Sequence, residues 1–484
     1  MSEVASKVVS KKKQYLKVKK ETPRKREAAL RKVDFSPTYF LFNREEADRQ
    51  SSRCIKCPID LLKGMSSEFS FCRTGCPLEN KIPLWIEATK NGDIKKAFEL
   101  SNETSPFPEI LGMICPHDNL CQGGCTISKT ESGSVTIGAI ETYLNEQAFQ
   151  MGLVPDYGQN VPKSGKKVAV IGSGPAGMSC ATFLLRAGVE VDMFEKSDRP
   201  GGLLTYGIPN FKIKKEVILR RFEWMQEAGM HLHLDSYIDK PEQMKEMIDE
   251  YDAIFVGVGA PDGRGARMKN EESHGVYQVM DILTHAQKGV FEDFYENILK
   301  DKNVIVIGGG DSAMDAVRTS VRMKAKSVRC AYRRDADNMP GSAKERINAQ
   351  EEGVIFEFYT APKEVIVDKG NHVEGLICEK TALGEPGEDG RRKLSVVEDS
   401  EFELECDVII LALGFDNHEF AWYSTAQINA GRWGEIIVDK DKRTSNRRIF
   451  AGGDGVTGAD LAVTAARDGR TAAFNIIKDF GLGL

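Results

Sequence analysis

Long apolar runs are missing from this 484-residue sequence, and so is any segment built for export. The longest apolar stretches, such as Val408 to Phe415, fall well short of the ~18 residues that a bilayer-spanning helix needs and read as buried strands, which argues against a membrane protein. No apolar core follows the N-terminal charges, as a signal peptide requires, and a Lys-dominated run is unlike an Arg- and Ser-rich transit peptide. A cytoplasmic protein is expected. A surplus of positive charge is also lacking: 66 Lys and Arg stand against 72 Asp and Glu, a net charge of −6, which argues against a general nucleic-acid binder. At 41% hydrophobic and 29% charged residues the chain has the composition of a globular protein rather than a disordered one. Its length leaves room for about three domains of roughly 100 to 200 residues each, so a small binding module is ruled out.

Charge is uneven at one place. Residues 1 to 32 hold 12 Lys or Arg and only Glu3, Glu21 and Glu27 as acids. The expectation is a mobile or partner-contacting arm, or a plain solvated tail.

Cysteine is uneven too. Seven of the 11 fall between Cys54 and Cys125, while Cys180, Cys330, Cys378 and Cys406 are scattered. In a reducing compartment such clustering points to metal ligation rather than disulfides. The spacing is Cys54-x2-Cys57, fourteen residues to Cys72, and x3 to Cys76; a second group runs Cys115-x5-Cys121-x3-Cys125. Short loops of this kind bring two thiolates to one centre, which suits tetrahedral zinc and iron–sulfur clusters alike. Seven cysteines are one short of two four-ligand sites. For two [4Fe–4S] clusters the eighth ligand is His117 or Glu141; for zinc, His117 completes a three-thiolate site.

Two dinucleotide fingerprints follow. The run from Lys166 to Gly172 reads as a buried parallel strand that ends in Gly172-Ser-Gly174-Pro175-Ala176-Gly177. A helix continues to Ala187, Gly188 stops it, and a second strand from Val189 to Phe194 ends at Glu195. Gly172 permits the tight turn, Gly174 lets backbone approach a pyrophosphate, and Gly177 allows the helix to lie close on the strand. The helix N-terminus attracts the phosphates, and Glu195 stands where a carboxylate accepts the ribose hydroxyls. The pattern recurs from Asn303 to Gly308, giving Gly308-Gly309-Gly310-Asp311-Ser312-Ala313, a helix, and a strand from Ser327 to Tyr332. That strand ends in Arg333 and Arg334, where guanidinium groups pair with a 2′-phosphate that a carboxylate would repel, so the second site favours NADP(H). One tightly held and one exchanging nucleotide is the logic of a flavin reductase. Hydride passes directly between stacked rings, and no general acid or other catalytic side chain is nominated.

With these residues in place, the chain resembles the small (beta) subunit of NADPH-dependent glutamate synthase from about Arg53 onward. The carrying motifs are Cys76-Pro-Leu-Glu-Asn-Lys-Ile-Pro83, Cys115-Pro116, the GSGPAG turn at Gly172, Gly201-Gly202-Leu203, Tyr206-Gly207-Ile208-Pro209, GGGDSAMD at Gly308, Tyr332-Arg-Arg334 and Ala451-Gly-Gly-Asp454. Similar modules occur in the large subunit of bifurcating NADH-dependent ferredoxin:NADP oxidoreductases and in the N-terminal half of dihydropyrimidine dehydrogenase.

The resemblance implies an α/β fold in which two Rossmann-like domains, one for FAD and one inserted for NADPH, follow a helical iron–sulfur domain. The expected boundaries are 1–160 for the helical [4Fe–4S] domain, 161–297 and 416–484 for the FAD domain, and 298–415 for the NADPH domain. Val256-Gly-Val-Gly259 and Leu411-Ala-Leu-Gly414 would mark the two crossings. The resemblance places FAD on Gly172 to Gly177, Glu195, Gly202, Leu203, Lys212, Gly453 and Asp454, and NADPH on Gly309, Gly310, Asp311, Ser312, Arg333, Arg334 and Gly414. It also crosses the cysteines between two [4Fe–4S] clusters: Cys54, Cys57, Cys72 and Cys125 for one, and Cys76, Cys115 and Cys121 with Glu141 for the other. Related chains have a shorter gap between Cys57 and Cys72, so the loop from Pro58 to Phe71 reads as an insertion. The implied partner is the glutamate synthase large (alpha) subunit or an equivalent electron acceptor, since the inferred domains are taken up by electron input and no cysteine precedes Cys54 to act as an amidotransferase nucleophile; the alternatives are the large subunit of a bifurcating NADH-dependent ferredoxin:NADP oxidoreductase and a zinc-stapled flavoprotein reductase.

Overall fold

The computed structural model describes residues 11–57, 70–291, 296–386 and 392–483. Its first part is helical, with helices at Arg44–Ser51, Ile82–Lys90, Ile94–Thr104, Pro108–Ile114 and Ile137–Gln150 around a core that includes Trp85, Phe98, Ile140 and Leu144. Most of the expected insertion, residues 58–69, lies outside the described residues. Among the described residues no helix is long and apolar enough to cross a membrane.

Two parallel sheets follow. The first runs, edge to edge, Ile449–Ala451, Ala253–Val256, Lys167–Ile171, Glu190–Phe194 and His231–His233. The second runs Val276–Gln278, Val408–Leu411, Asn303–Ile307, Ser327–Tyr332 and Ile355–Phe358. Both central strands are buried over four consecutive residues, because helices cover both faces of a parallel sheet and every position must be apolar. An antiparallel sheet built on Thr360–Val367 and Val373–Pro386 completes the second unit.

The chain leaves the first sheet at Val256 and returns to it at Ile449. The outgoing and returning segments meet as a two-stranded antiparallel ribbon, Asp262–Gly263 against Phe415–Asp416, which Arg264 clamps through Asp416 at 2.6 Å. The second sheet also begins earlier than the 298 boundary suggests. Val276, Tyr277 and Gln278 pair with Ile409, Ile410 and Leu411, and a three-residue edge strand with no apolar run around it leaves little trace in a sequence.

Between residues 14 and 32 the N-terminal stretch is held against the protein, although Lys17, Lys19, Lys20 and Arg24 stay exposed. Buried Arg53 donates to the carbonyls of Val18, Gly133 and Ser134, and Thr136 donates to that of Glu21, so this stretch lies along the helical unit. It continues to the second nucleotide-type unit, where Arg31, only 1% exposed, meets Glu352 at 2.8 Å. Residues 1–10 lie outside the described residues.

A buried ion pair joins the helical unit to the first sheet's helices. Arg221 meets Glu109 through two contacts of 2.7 and 2.5 Å, both side chains are fully buried, and Asn102 and Tyr157 complete the guanidinium's bonding. Arg221→Met strands the Glu109 carboxylate and is expected to destabilise the protein by about 3 to 5 kcal/mol in chemical denaturation, whereas the double variant with Glu109→Leu recovers most of the loss. Equal losses in the single and double variants would mean that packing, not charge, matters there.

Candidate functional site

The first glycine-rich turn is shaped by close backbone approach. Gly172 has φ +94°, and a Cβ there would stand 2.4 Å from the Gly257 carbonyl oxygen; one on Gly177 would stand 1.9 Å from the Gly172 oxygen. Gly174 faces open space at the N-terminus of the helix Pro175–Arg186. Two distant segments close on the same turn. A Cβ on Gly202 would meet the Gly174 Cα at 3.0 Å, and one on Gly453 would meet the Ala176 Cβ at 3.0 Å. The site is thus a backbone cradle with a free helix N-terminus, which fits the pyrophosphate of a dinucleotide.

Glu195 is buried at the edge of this cradle. One carboxylate oxygen accepts from the Ser173 amide at 3.1 Å and its hydroxyl at 2.5 Å, and the other accepts from the Ser197 amide at 2.9 Å. Ser173 in turn accepts from the Gly201 amide at 2.8 Å. Ser173 was not singled out from the sequence; its place between two fingerprint glycines was the available signal. Leu203 follows Gly202 and is 46% exposed. Burial raises the Asp454 carboxyl to about 6. The Lys212 ammonium pairs with Asp315 at 2.5 Å.

The second turn repeats the design. A Cβ on Gly308 would stand 2.2 Å from the Ala412 oxygen, and one on Gly309 would strike the Tyr332 ring at 2.4 Å, while Gly310 faces open space at the N-terminus of the helix Asp311–Arg322. The loop after Tyr332 folds back so that the Gly341 amide donates to Gly309 and the Ser342 amide to Asp311, both at 2.9 Å. Ser312 occupies the first turn of that helix, and Gly414, with φ +92°, accepts from the Arg264 amide. Arg333 is exposed, and Arg334 is partly buried with an Nε that has no partner. Among the described residues neither pairs with a carboxylate. Both guanidinium groups follow Tyr332, whose ring packs on Gly309, and suit a phosphate.

The cysteines of the helical unit fall into two groups that cut across sequence order. Cys72 has Cys54, Cys125 and Cys57 as neighbours, and Cys57 Sγ lies 2.8 Å from Thr126 Oγ1. Burial pushes the thiols up to about 11 for Cys54 and about 12 for Cys72. Cys76, Cys115 and Cys121 line one cavity with His117, Glu141 and Val463. Burial raises Cys115 and Cys121 well above the ordinary thiol range, and Glu141 adds to the effect at all three cysteines. The Glu141 carboxyl itself is raised to about 8, chiefly by burial and then by Glu109. Among the described residues it has no hydrogen-bond or ion-pair partner. Acids and thiols so desolvated suit a positively charged centre that holds them deprotonated. His117 shares the cavity, but its ring is pressed against Gly138, whose Cβ would stand 2.2 Å from Nε2; that nitrogen has no partner, and burial lowers its pKa to about 4.

Two nucleotide cradles on separate parallel sheets, with a cysteine-rich helical unit in front, define a pyridine-nucleotide oxidoreductase carrying an iron–sulfur domain. Residues 166–469 match the family described as pyridine nucleotide-disulphide oxidoreductase, and residues 31–153 match dihydropyrimidine dehydrogenase domain II, 4Fe-4S cluster. More narrowly, the chain belongs to the family of the glutamate synthase [NADPH] small chains: it is 41% identical to that of Escherichia coli K12 over 96% of its own length and 98% of the relative's. It is also 44% identical to the putative oxidoreductase AegA of the same organism, over 95% of this chain and 70% of that protein. Among solved structures, FprA of Mycobacterium tuberculosis in complex with NADPH shares the fold, with a TM-score of 0.55 at 18% identity over 65% of this chain and 85% of FprA.

Proposed function

We propose that this chain is the electron-input subunit of a glutamate synthase, accepting hydride from NADPH and passing electrons through FAD and two [4Fe–4S] clusters to a large subunit that makes glutamate from glutamine and 2-oxoglutarate. A bound flavin supplies the chemistry of taking a hydride and releasing its electrons singly. The chain's own residues orient and insulate. The cradle of Gly172, Gly174, Gly177, Gly202 and Gly453 would hold the FAD pyrophosphate, with Glu195 on the ribose. Gly309, Gly310 and Ser312 would hold the NADPH pyrophosphate, and Arg333 and Arg334 its 2′-phosphate.

The observation that carries the path is the position of Val463. It lines the cavity of Cys76, Cys115, Cys121 and Glu141 and lies nine residues beyond Asp454, in the helix Ala462–Asp479 that packs across the flavin-type cradle. On this reading the Glu141 group would stand nearer the FAD cradle, and the group of Cys54, Cys57, Cys72 and Cys125 would relay outward. The match of residues 31–153 to a 4Fe-4S family supports clusters over zinc at these cysteines. All eleven cysteines are unpaired, which fits a reducing cytoplasm.

The test is reconstitution. The purified chain is expected to oxidise NADPH with an artificial acceptor and to form no glutamate until a glutamate synthase large subunit is added. Glutamate from the chain alone would refute the subunit reading. NADPH oxidation that no large subunit couples to glutamate would point to another acceptor.

A further inference from the structure

The helix Asp311–Arg322 is fastened to the rest of the protein at two levels. Midway along it, Asp315 pairs with Lys212, which lies three residues after Pro209 in the segment that follows Gly202 and Leu203. Toward its C-terminal end, Arg318 and Arg322 grip Glu352, with contacts of 2.8 and 2.7 Å, and Arg31 of the N-terminal stretch binds the same carboxylate at 2.8 Å. These three arginines and Glu352 are at most 3% exposed. Phe211, next to Lys212, is held between the two systems. Its ring centroid lies 4.4 and 4.0 Å from the Arg318 and Arg322 guanidinium carbons, its carbonyl accepts from the Thr38 amide at 2.8 Å, and Arg318 donates to the Thr38 hydroxyl at 2.8 Å.

Resting on the function proposed above, we infer that Arg31 and Thr38 are positioning residues for hydride transfer: the N-terminal stretch, Phe211 and the helix Asp311–Arg322 form one knot that fixes the nicotinamide-binding unit against the flavin-binding unit. The helix that starts at the second glycine turn carries any bound nucleotide with it. Restraining its far end restrains the approach of the two rings, and hydride transfer is steep in that distance. Neither Arg31 nor Thr38 lies at a nucleotide cradle, so their effect is on approach rather than on binding.

Arg31→Met is the suitable variant because Glu352 keeps Arg318 and Arg322, so no buried carboxylate is stranded. Anaerobic rapid mixing with NADPH is expected to show flavin reduction slowed about tenfold to a hundredfold. The apparent NADPH Kd should stay within about twofold, the long-wavelength charge-transfer absorbance should weaken, and Arg31→Lys should restore part of the rate. Thr38→Val gives the same comparison at smaller volume change should Arg31→Met fold poorly. A lowered melting temperature with an unchanged reduction rate, in either variant, would overturn the inference. Hydrogen exchange supplies an arm that needs no NADPH: amides of Asp311–Arg322 and of residues 209–213 should exchange faster in Arg31→Met, and unchanged exchange would also overturn it. A wild-type flavin that NADPH does not reduce would instead sink the proposed function, leaving the exchange comparison to decide the knot.

Discussion

Glu141→Ala is expected to hold about half the iron of the wild-type chain, which at two four-iron clusters carries about eight atoms, while its FAD content stays unchanged. The reasoning runs from the cavity. Three buried cysteines converge there, and a cubane needs a fourth ligand. Glu141 lines the cavity with all three, and the environment has already removed its solvent without giving it a cation. His117 lines the same space, yet its ring is pressed against Gly138, whose Cβ would stand 2.2 Å from Nε2. His117→Ala should therefore lower iron content only slightly, and Glu141→Cys should keep it near the wild-type value. Iron analysis of anaerobically purified protein, with low-temperature paramagnetic resonance of the dithionite-reduced form, reads all three. The reverse order, with His117→Ala losing half the iron and Glu141→Ala keeping it, would move the ligand to the imidazole.

The parts of this architecture that are legible in the sequence are those encoded by neighbouring residues. A glycine turn between an apolar strand and a helix is a local device, and at Gly172 and Gly308 the reason each residue is glycine is a carbonyl oxygen less than 2.5 Å from any Cβ. The strand ends at Glu195 and Arg334 follow from counting along the same unit. What pairs residues far apart leaves no such trace. Arg31 reads as one more cation in a basic run until Glu352, 321 residues away, neutralises it in the interior. That Cys125 lies near Cys54 and Cys72 is invisible to spacing, which would leave it with Cys115 and Cys121; only the resemblance suggested grouping them. The edge strand Val276–Gln278 is too short to show a period of its own.

Arg333→Ala and Arg334→Ala are each expected to weaken NADPH by roughly 10- to 100-fold, because a hydrogen bond to a charged group contributes about 1.5 to 3 kcal/mol and about 1.4 kcal/mol is a factor of ten. NADH should be nearly unaffected, since it lacks the 2′-phosphate that the guanidinium groups would grip. The environment favours this over a structural role. Among the described residues neither arginine is neutralised by an acid, and the loop they begin is held by other bonds: Tyr332 donates to the Asn338 carbonyl at 2.6 Å, the Tyr359 amide to that of Arg334 at 3.2 Å, and the Thr381 hydroxyl to that of Arg333 at 2.7 Å. Those bonds use the backbone of 333 and 334, so truncating the side chains leaves the loop anchored. Arg333, the more exposed of the two, should tolerate exchange for Lys with a partial loss, because a point charge keeps the attraction but not the paired geometry. The readout is the concentration dependence of flavin reduction with each nucleotide. Equal losses for NADPH and NADH would make the arginines part of the loop's structure, and with that the basis for assigning NADPH rather than NADH to the second cradle would fall.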